Sequence, residues 1–276
     1  MSYRKKHIKT KIYKLKKPKK SIFKRPVFWI IFLLAVIIFF TLYVFVFSSN
    51  FQIKDIMVSG NEKILVEDIQ DLVFAKLGIK FISMEKWSLE SKSIFFIDQK
   101  KIKKEILNNF PVIESIEINK KIPHSLNIKV IERKPLGVFC NSFTAEECFL
   151  IDQNGIIFEP SLKDYNNMTI VRKSLDLKQA VAGEKIIAEN IMSAILKIKN
   201  NLENNLQINI EEIIISSPLK IDITTNEKWK IYFNLESDID MQIIRLSLLL
   251  NSEIPEGDRK NLQYVDLRFK DKAYYK

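Results

Sequence analysis

Glycine is scarce in this chain, with six in 276 residues. No P-loop, no GxGxxG and no GxSxG occurs, so the backbone cradles and strained nucleophile turns those motifs build are missing. Cysteine and histidine number two each: Cys140, Cys148, His7 and His124. That is too few, too scattered, for a zinc set. The carboxylate pairs Glu146-Glu147 and Glu211-Glu212 stand beside or between β-type runs, where solvated side chains are ordinary. With no nucleophile–base pair in view, the sequence points away from an enzyme. No catalytic residue, metal, cofactor or small-molecule substrate is expected.

What the chain has is charge in one place. The formal net charge is +11. Of the 44 Lys and Arg, twelve fall in residues 1–26, which hold no acid. Residues 27–50 carry no charge, and the remaining 32 basic residues face all 33 acidic ones. The basicity therefore belongs to a short tail. A tail of this kind beside an apolar run meets anionic lipid headgroups, at about 1 kcal/mol per basic residue. A nucleic-acid partner is not expected.

Residues 27–47 (VFWIIFLLAVIIFFTLYVFVF) contain no charge, glycine or proline. As a helix they extend about 31 Å, close to the roughly 30 Å hydrocarbon core of a bilayer. Trp29 and Tyr43 stand near the two ends, where amphipathic aromatics favour the interface. A cleaved signal has a shorter apolar region followed by small residues, whereas bulky Phe47 leads here into Ser48-Ser49-Asn50. The expectation is an uncleaved membrane anchor. By the positive-inside rule the basic tail stays in the cytoplasm and the rest is extracytoplasmic. In an oxidising compartment Cys140 and Cys148 can close a disulfide across a hairpin; two free thiols are the alternative.

Residues 51–133 read as strand, helices, strand, strand. Phe51, Ile53, Ile56 and Val58 run into the turn signal Ser59-Gly60-Asn61, and Val66, Ile69, Leu72 and Val73 recur at helical spacing. A second helix spans residues 100–109 and ends before Pro111. Two alternating runs follow, linked through Lys120-Lys121-Ile122-Pro123-His124-Ser125 as a hairpin. The stretch from about 74 to 95 has no clear pattern. Residues 134–276 carry short β-type runs at 136–140, 148–152, 156–159, 168–172, 208–215, 220–225, 228–234 and 262–269. Asn154-Gly155 is a two-residue hairpin signal. Helices at about 186–204 and 239–250 interrupt the strands, each with an apolar stripe that reads as core. The fold class is α+β: an N-terminal transmembrane helix, a first unit over 51–133, and a mixed β-sheet domain with two packed helices over 134–276.

The order of these parts resembles the FtsQ/DivIB family of bacterial cell division proteins. FQIKDIMVSGN (51–61) is similar to the first strand and turn of that family's POTRA unit, and FPVIESIEINKKIPHSLNIKVIERKPLGVF (110–139) to its closing strands and crossover. CFLIDQNGIIFEP (148–160) and LQYVDLRFKDKAYYK (262–276) are similar to the start and end of its β-domain. Residues 74–95 look like an insertion into a minimal POTRA unit. The resemblance implies a non-catalytic divisome scaffold at the septum. It would bind FtsB- and FtsL-type proteins and help control septal peptidoglycan synthesis. The POTRA unit would serve recruitment, and the end of the β-domain would capture FtsB.

The last segment supports that role by its own chemistry. Read as one strand, 262–269 places Val265, Leu267 and Phe269 on one face and Tyr264, Asp266 and Arg268 on the other. With Lys270 to Lys276 after it, this strand reads as an edge open to β-augmentation; an ordinary edge strand protected by Lys270, Lys272 and Lys276 is the alternative. The expected partner-binding residues are Tyr264, Asp266, Arg268, Phe269, Tyr274 and Tyr275. Arg268 is expected to pair with a partner carboxylate, Phe269 to supply apolar contact or to anchor the strand in the core, and Tyr274 to contribute its N–H if that group faces the partner. The competing function is a POTRA-containing envelope assembly or secretion protein acting as a polypeptide-binding module. Such proteins carry POTRA repeats and lipid-facing barrel strands, and neither is visible here.

Overall fold

The computed structural model describes residues 25–84, 87–140, 148–161, 168–173 and 180–276. Nearly all of the basic tail (1–24), with its expected lipid contacts, lies outside them, as does the link between the two cysteines. The apolar run forms α1, Pro26–Phe47, with proline at the start of the helix, where its missing N–H costs nothing. No residue of α1 is buried, and the helix is long and apolar enough to cross a membrane.

The described chain divides into two compact units. One contains α1 to Ile53, residues 78–97 and residues 122–124. In it, β2 (Ile79–Met84) and β3 (Trp87–Ser91) pair antiparallel, so the stretch without a sequence pattern is a hairpin. Its continuation pairs with the chain leaving α1. Ile53 N–H donates to the Lys92 carbonyl (3.1 Å) and Ile94 N–H to that of Phe51 (2.9 Å).

The second unit holds both remaining sheets. The smaller is built from β1 (Asp55–Ser59), β4 (Ile113–Lys121) and β5 (Ser125–Glu132), with α2 (Val66–Lys76) and α3 (Gln99–Asn109) between β1 and β4. Its order is β1-β5-β4: β1 lies parallel to β5, and β4 and β5 form the antiparallel hairpin. The strand expected from Phe51 starts only at Asp55. Ile69 and Val73 in α2, and Ile102 and Ile106 in α3, are buried four residues apart, on one face of each helix. Asp98 caps α3, accepting from the N–H groups of Lys100 (3.0 Å) and Lys101 (3.1 Å). Gly60 has φ +84°, and a Cβ there would stand 2.2 Å from the Val130 carbonyl oxygen, so the turn after β1 requires glycine.

The larger sheet has nine strands. They are β6 (Gly137–Cys140), β7 (Cys148–Ile151), β8 (Ile157–Pro160), β9 (Ile170–Lys173), β10 (Ile210–Ser217), β11 (Lys220–Thr225), β12 (Lys230–Asn234), β13 (Tyr264–Asp266) and β14 (Tyr274–Tyr275). Their spatial order is β14-β13-β12-β11-β10-β9-β6-β7-β8. The sheet is mixed: β6 with β9, β9 with β10 and β12 with β13 run parallel, and the rest antiparallel. Cys140 and Cys148 are cross-strand partners of β6 and β7 and are joined by a disulfide, with Cα atoms 4.3 Å apart.

Two helices cover the sheet. α4 (Glu189–Asn200) buries Ile191, Ile195 and Ile198, and α5 (Ile239–Ser252) buries Ile243, Leu246 and Leu250, in one core with Trp229, Ile231, Phe233 and Val265. Truncating one such aliphatic side chain to Ala costs about 2–5 kcal/mol. The helix expected to run to residue 204 changes into a π-turn over Asn201–Asn205.

Candidate functional site

The end of the nine-stranded sheet departs from the single strand expected over 262–269. β13 has only three residues, after which the chain turns and comes back as the two-residue β14. The outermost strand is therefore β14, not β13. Val265 and Leu267 are fully buried, but Phe269 lies in the turn at 50% exposure and does not share their face. Its ring meets Tyr274 edge-on, with centroids 4.9 Å apart.

The register decides which backbone groups face outward. Val265 stands opposite Tyr275 and Asp266 opposite Tyr274. Lys276 N–H donates to the Tyr264 carbonyl (3.2 Å), and Lys276 C=O accepts from Gln263 and Tyr264. Hydrogen-bonded and non-hydrogen-bonded pairs alternate in an antiparallel ladder. Tyr274 N–H therefore points inward to β13, while the N–H and C=O of Tyr275 point to the open side. The condition set for Tyr274, an N–H facing outward, is met by Tyr275 instead. Among the described residues no strand pairs with that outer side of β14.

Arg268 is already engaged within its own chain. Its Nε donates to Asp266 Oδ1 (2.8 Å), its Nη2 to Asp266 Oδ2, and its backbone N–H also reaches Oδ1 (3.1 Å). Burial pushes the Asp266 carboxyl up, but the Arg268 hydrogen bonds and charge, with Lys220 adding a little, outweigh it and hold the pKa below the usual carboxylate value. The hydrogen bond to Asp266 correspondingly raises Arg268. The guanidinium also lies over the Tyr232 ring, 5.2 Å from its centroid, and that ring contacts Tyr264 at 5.9 Å. Asp266, Arg268, Tyr232 and Tyr264 form one cluster. Phe269, Tyr274 and Tyr275, each about half exposed, form the apolar surface beside it.

Two residues that the sequence reading missed hold this edge in place. Arg245 of α5 donates from Nη1 to the carbonyls of Phe269 and of Lys272 (3.2 Å), pinning both sides of the turn between β13 and β14. Gln242 is completely buried; its Oε1 accepts from Asn234 N–H (3.0 Å) and its Nε2 donates to Asn234 C=O (2.7 Å), tying α5 to the end of β12. A buried glutamine within an apolar stripe was the available signal for the second.

The description "Cell division protein FtsQ/DivIB, C-terminal" matches residues 144–268, and "POTRA domain, FtsQ-type" matches residues 86–133. The chain belongs to the FtsQ/DivIB family. Among curated relatives, the cell division protein DivIB of Clostridium botulinum (strain Hall) is 29% identical over 222 residues, 80% of this chain and 76% of the relative. DivIB of Clostridium acetobutylicum is 26% identical over 236 residues, 82% of each chain. The cell division protein FtsQ of Geotalea daltonii is 22% identical over 236 residues, 83% of this chain and 77% of the relative. The FtsQ/DivIB match ends at Arg268, so the turn and β14 lie just past it. Membership in this family gives the chain a role in the divisome, and with α1 suggests a single-pass membrane protein of the septum.

Proposed function

We propose that this chain is a non-catalytic divisome scaffold whose β14 edge captures an FtsB-type partner by strand addition. One observation carries the reading: Tyr275 turns its N–H and C=O to the unpaired side of the outermost strand, beside the half-exposed rings of Phe269 and Tyr274. An incoming strand would take up these groups, and the three aromatics would supply side-chain specificity. Arg268 keeps N–H groups beyond those used on Asp266, so a partner carboxylate can join the existing pair. An FtsL-type protein would be held in the same assembly, and through it the chain would help control septal peptidoglycan synthesis.

In this reading residues 51–133 are the POTRA unit that serves recruitment, and residues 134–276 are the capture domain. The basic tail of residues 1–26 stays in the cytoplasm against anionic headgroups, and both folded parts are extracytoplasmic. Two experiments test it. The purified full chain should retain an FtsB-type protein in a pull-down, and a reporter fused after Lys276 should be active only outside the cytoplasm. Cytoplasmic activity of that fusion contradicts the orientation.

A further inference from the structure

The hairpin unit attached to α1 shows a feature that neither family membership nor partner capture requires. The last carbonyls of a helix have no partner within it, and at a bilayer boundary water cannot be relied on to satisfy them. Here protein side chains do. Ser93 Oγ donates to the Phe45 carbonyl (2.7 Å), and Ser91 Oγ (2.5 Å) and Gln52 Nε2 (2.8 Å) donate to that of Val46. Ser91 and Ser93 are buried at 3% and 1% exposure, so this is a dry cap and not a surface contact.

The same segment carries aromatic side chains to the depth of the last helical turn. The Phe95 ring lies 5.2 Å from Phe45 of α1 and 5.3 Å from Phe51. Phe95 and Phe96 are nonetheless about 40% exposed, while Ile94 beside them is fully buried. Whatever surrounds Phe45 must therefore surround Phe95 as well, and exposed Phe96 follows it directly in the chain. We infer that residues 91–96 form a collar that seats Phe95 and Phe96 in the headgroup region of the bilayer α1 crosses, so that the helix leaves the membrane as a clamped element and not as a loose tether. The occupant of this apolar surface is the lipid surface itself, because the contact with Phe45 fixes its depth. Exposed Lys92 between the two serines suits lipid phosphates there. The inference rests on α1 spanning a membrane.

The test places a nitroxide at single cysteines in the full chain, reconstituted in phosphatidylethanolamine/phosphatidylglycerol vesicles. The buried Cys140–Cys148 bond is left intact. Phe95→Cys and Phe96→Cys are read separately, with Phe39→Cys on α1 as the interior reference and free nitroxide in buffer as the aqueous one. Collision with oxygen relative to a water-soluble nickel chelate reports depth. The expected result is a depth at 95 and 96 between the two references. Water-like values at both, with a deep reading at 39, overturn the collar and leave the membrane span standing. A water-like reading at 39 overturns the span, and the collar with it.

Discussion

Arg268 closes a two-pronged ion pair on Asp266, two residues earlier in the chain, and the carboxylate end of that pair is nearly buried, its side chain 9% exposed. Removing the guanidinium alone strands a carboxylate in a poorly solvated place, which is worse than losing one contact. Arg268→Ala is therefore expected to lower stability by about 1.5–3 kcal/mol, in the range for a hydrogen bond to a charged group. In a double-mutant cycle with Asp266→Ala the two changes should be clearly non-additive. Equilibrium urea unfolding of the four proteins measures this. Additive effects would mean that the pair contributes nothing.

The same chemistry sets an acid limit. Asp266 and Glu132 both have folded pKa values below their unfolded ones, so their contribution is present above the unfolded pKa and is lost as pH falls through the folded value. Burial opposes the shift at Glu132, but the backbone N–H groups of Glu62, Ile64 and Lys63 together with the Lys63 charge outweigh it. Melting temperature should be flat near neutrality and fall below about pH 4, where unfolded carboxylates take up protons. Glu132→Gln should cost about 1 kcal/mol at neutral pH, a small value because the group is solvent-screened, and should make the acid limb shallower. An unchanged acid limb would mean that Glu132 plays no part.

Where the three-stranded sheet meets the nine-stranded one, Arg133 donates to the Pro111 carbonyl through Nε (2.9 Å) and to Asp152 through Nη1. The two side chains are 11% and 3% exposed. Breaking a buried pair from one side costs about 3–5 kcal/mol, so Arg133→Ala should be among the most damaging single changes in the folded part. Arg133→Lys should recover little, since lysine cannot reach both acceptors with a planar fork. Thermal unfolding of the two variants tests this, and a wild-type melting temperature for Arg133→Ala would refute it.

The Cys140–Cys148 bond closes a short loop at β6–β7 and should contribute about 2–3 kcal/mol by the chain-entropy relation. Thiol labelling of the non-reduced, unfolded protein should find no free thiol, and reduction before labelling should expose two. Two reactive thiols without reduction would contradict the bond.

How much of this was legible follows from the length of each pattern. The anchor and the stripes of α4 and α5 are signals several residues long, each fixed by one periodicity, while the turn chemistry of Asn154-Gly155 marks the link between β7 and β8, which spans residues 152–156. The carboxyl end failed at the level of single residues. Alternation through Val265 and Leu267 extrapolated to Phe269, but Arg245 and the Asp266–Arg268 pair turn the chain there, and no local pattern encodes a contact 24 positions away. The β2–β3 hairpin was illegible for the same reason: its continuation pairs with residues 51–53, some 40 positions earlier. Read as one strand face, Tyr264, Asp266 and Arg268 give no sign that Arg268 closes on Asp266 of its own chain.

The claim that β14 is the capture edge is tested most directly by affinity of the full chain for an FtsB-type partner, with proline placed at the two successive edge positions. Tyr275→Pro removes an outward N–H that no ladder bond uses, so the fold should keep its melting temperature while affinity drops at least about tenfold, equivalent to about 1.4 kcal/mol. Tyr274→Pro removes an inward donor to Asp266 and should destabilise β14 itself. Wild-type affinity for a normally folded Tyr275→Pro protein would contradict strand addition at β14.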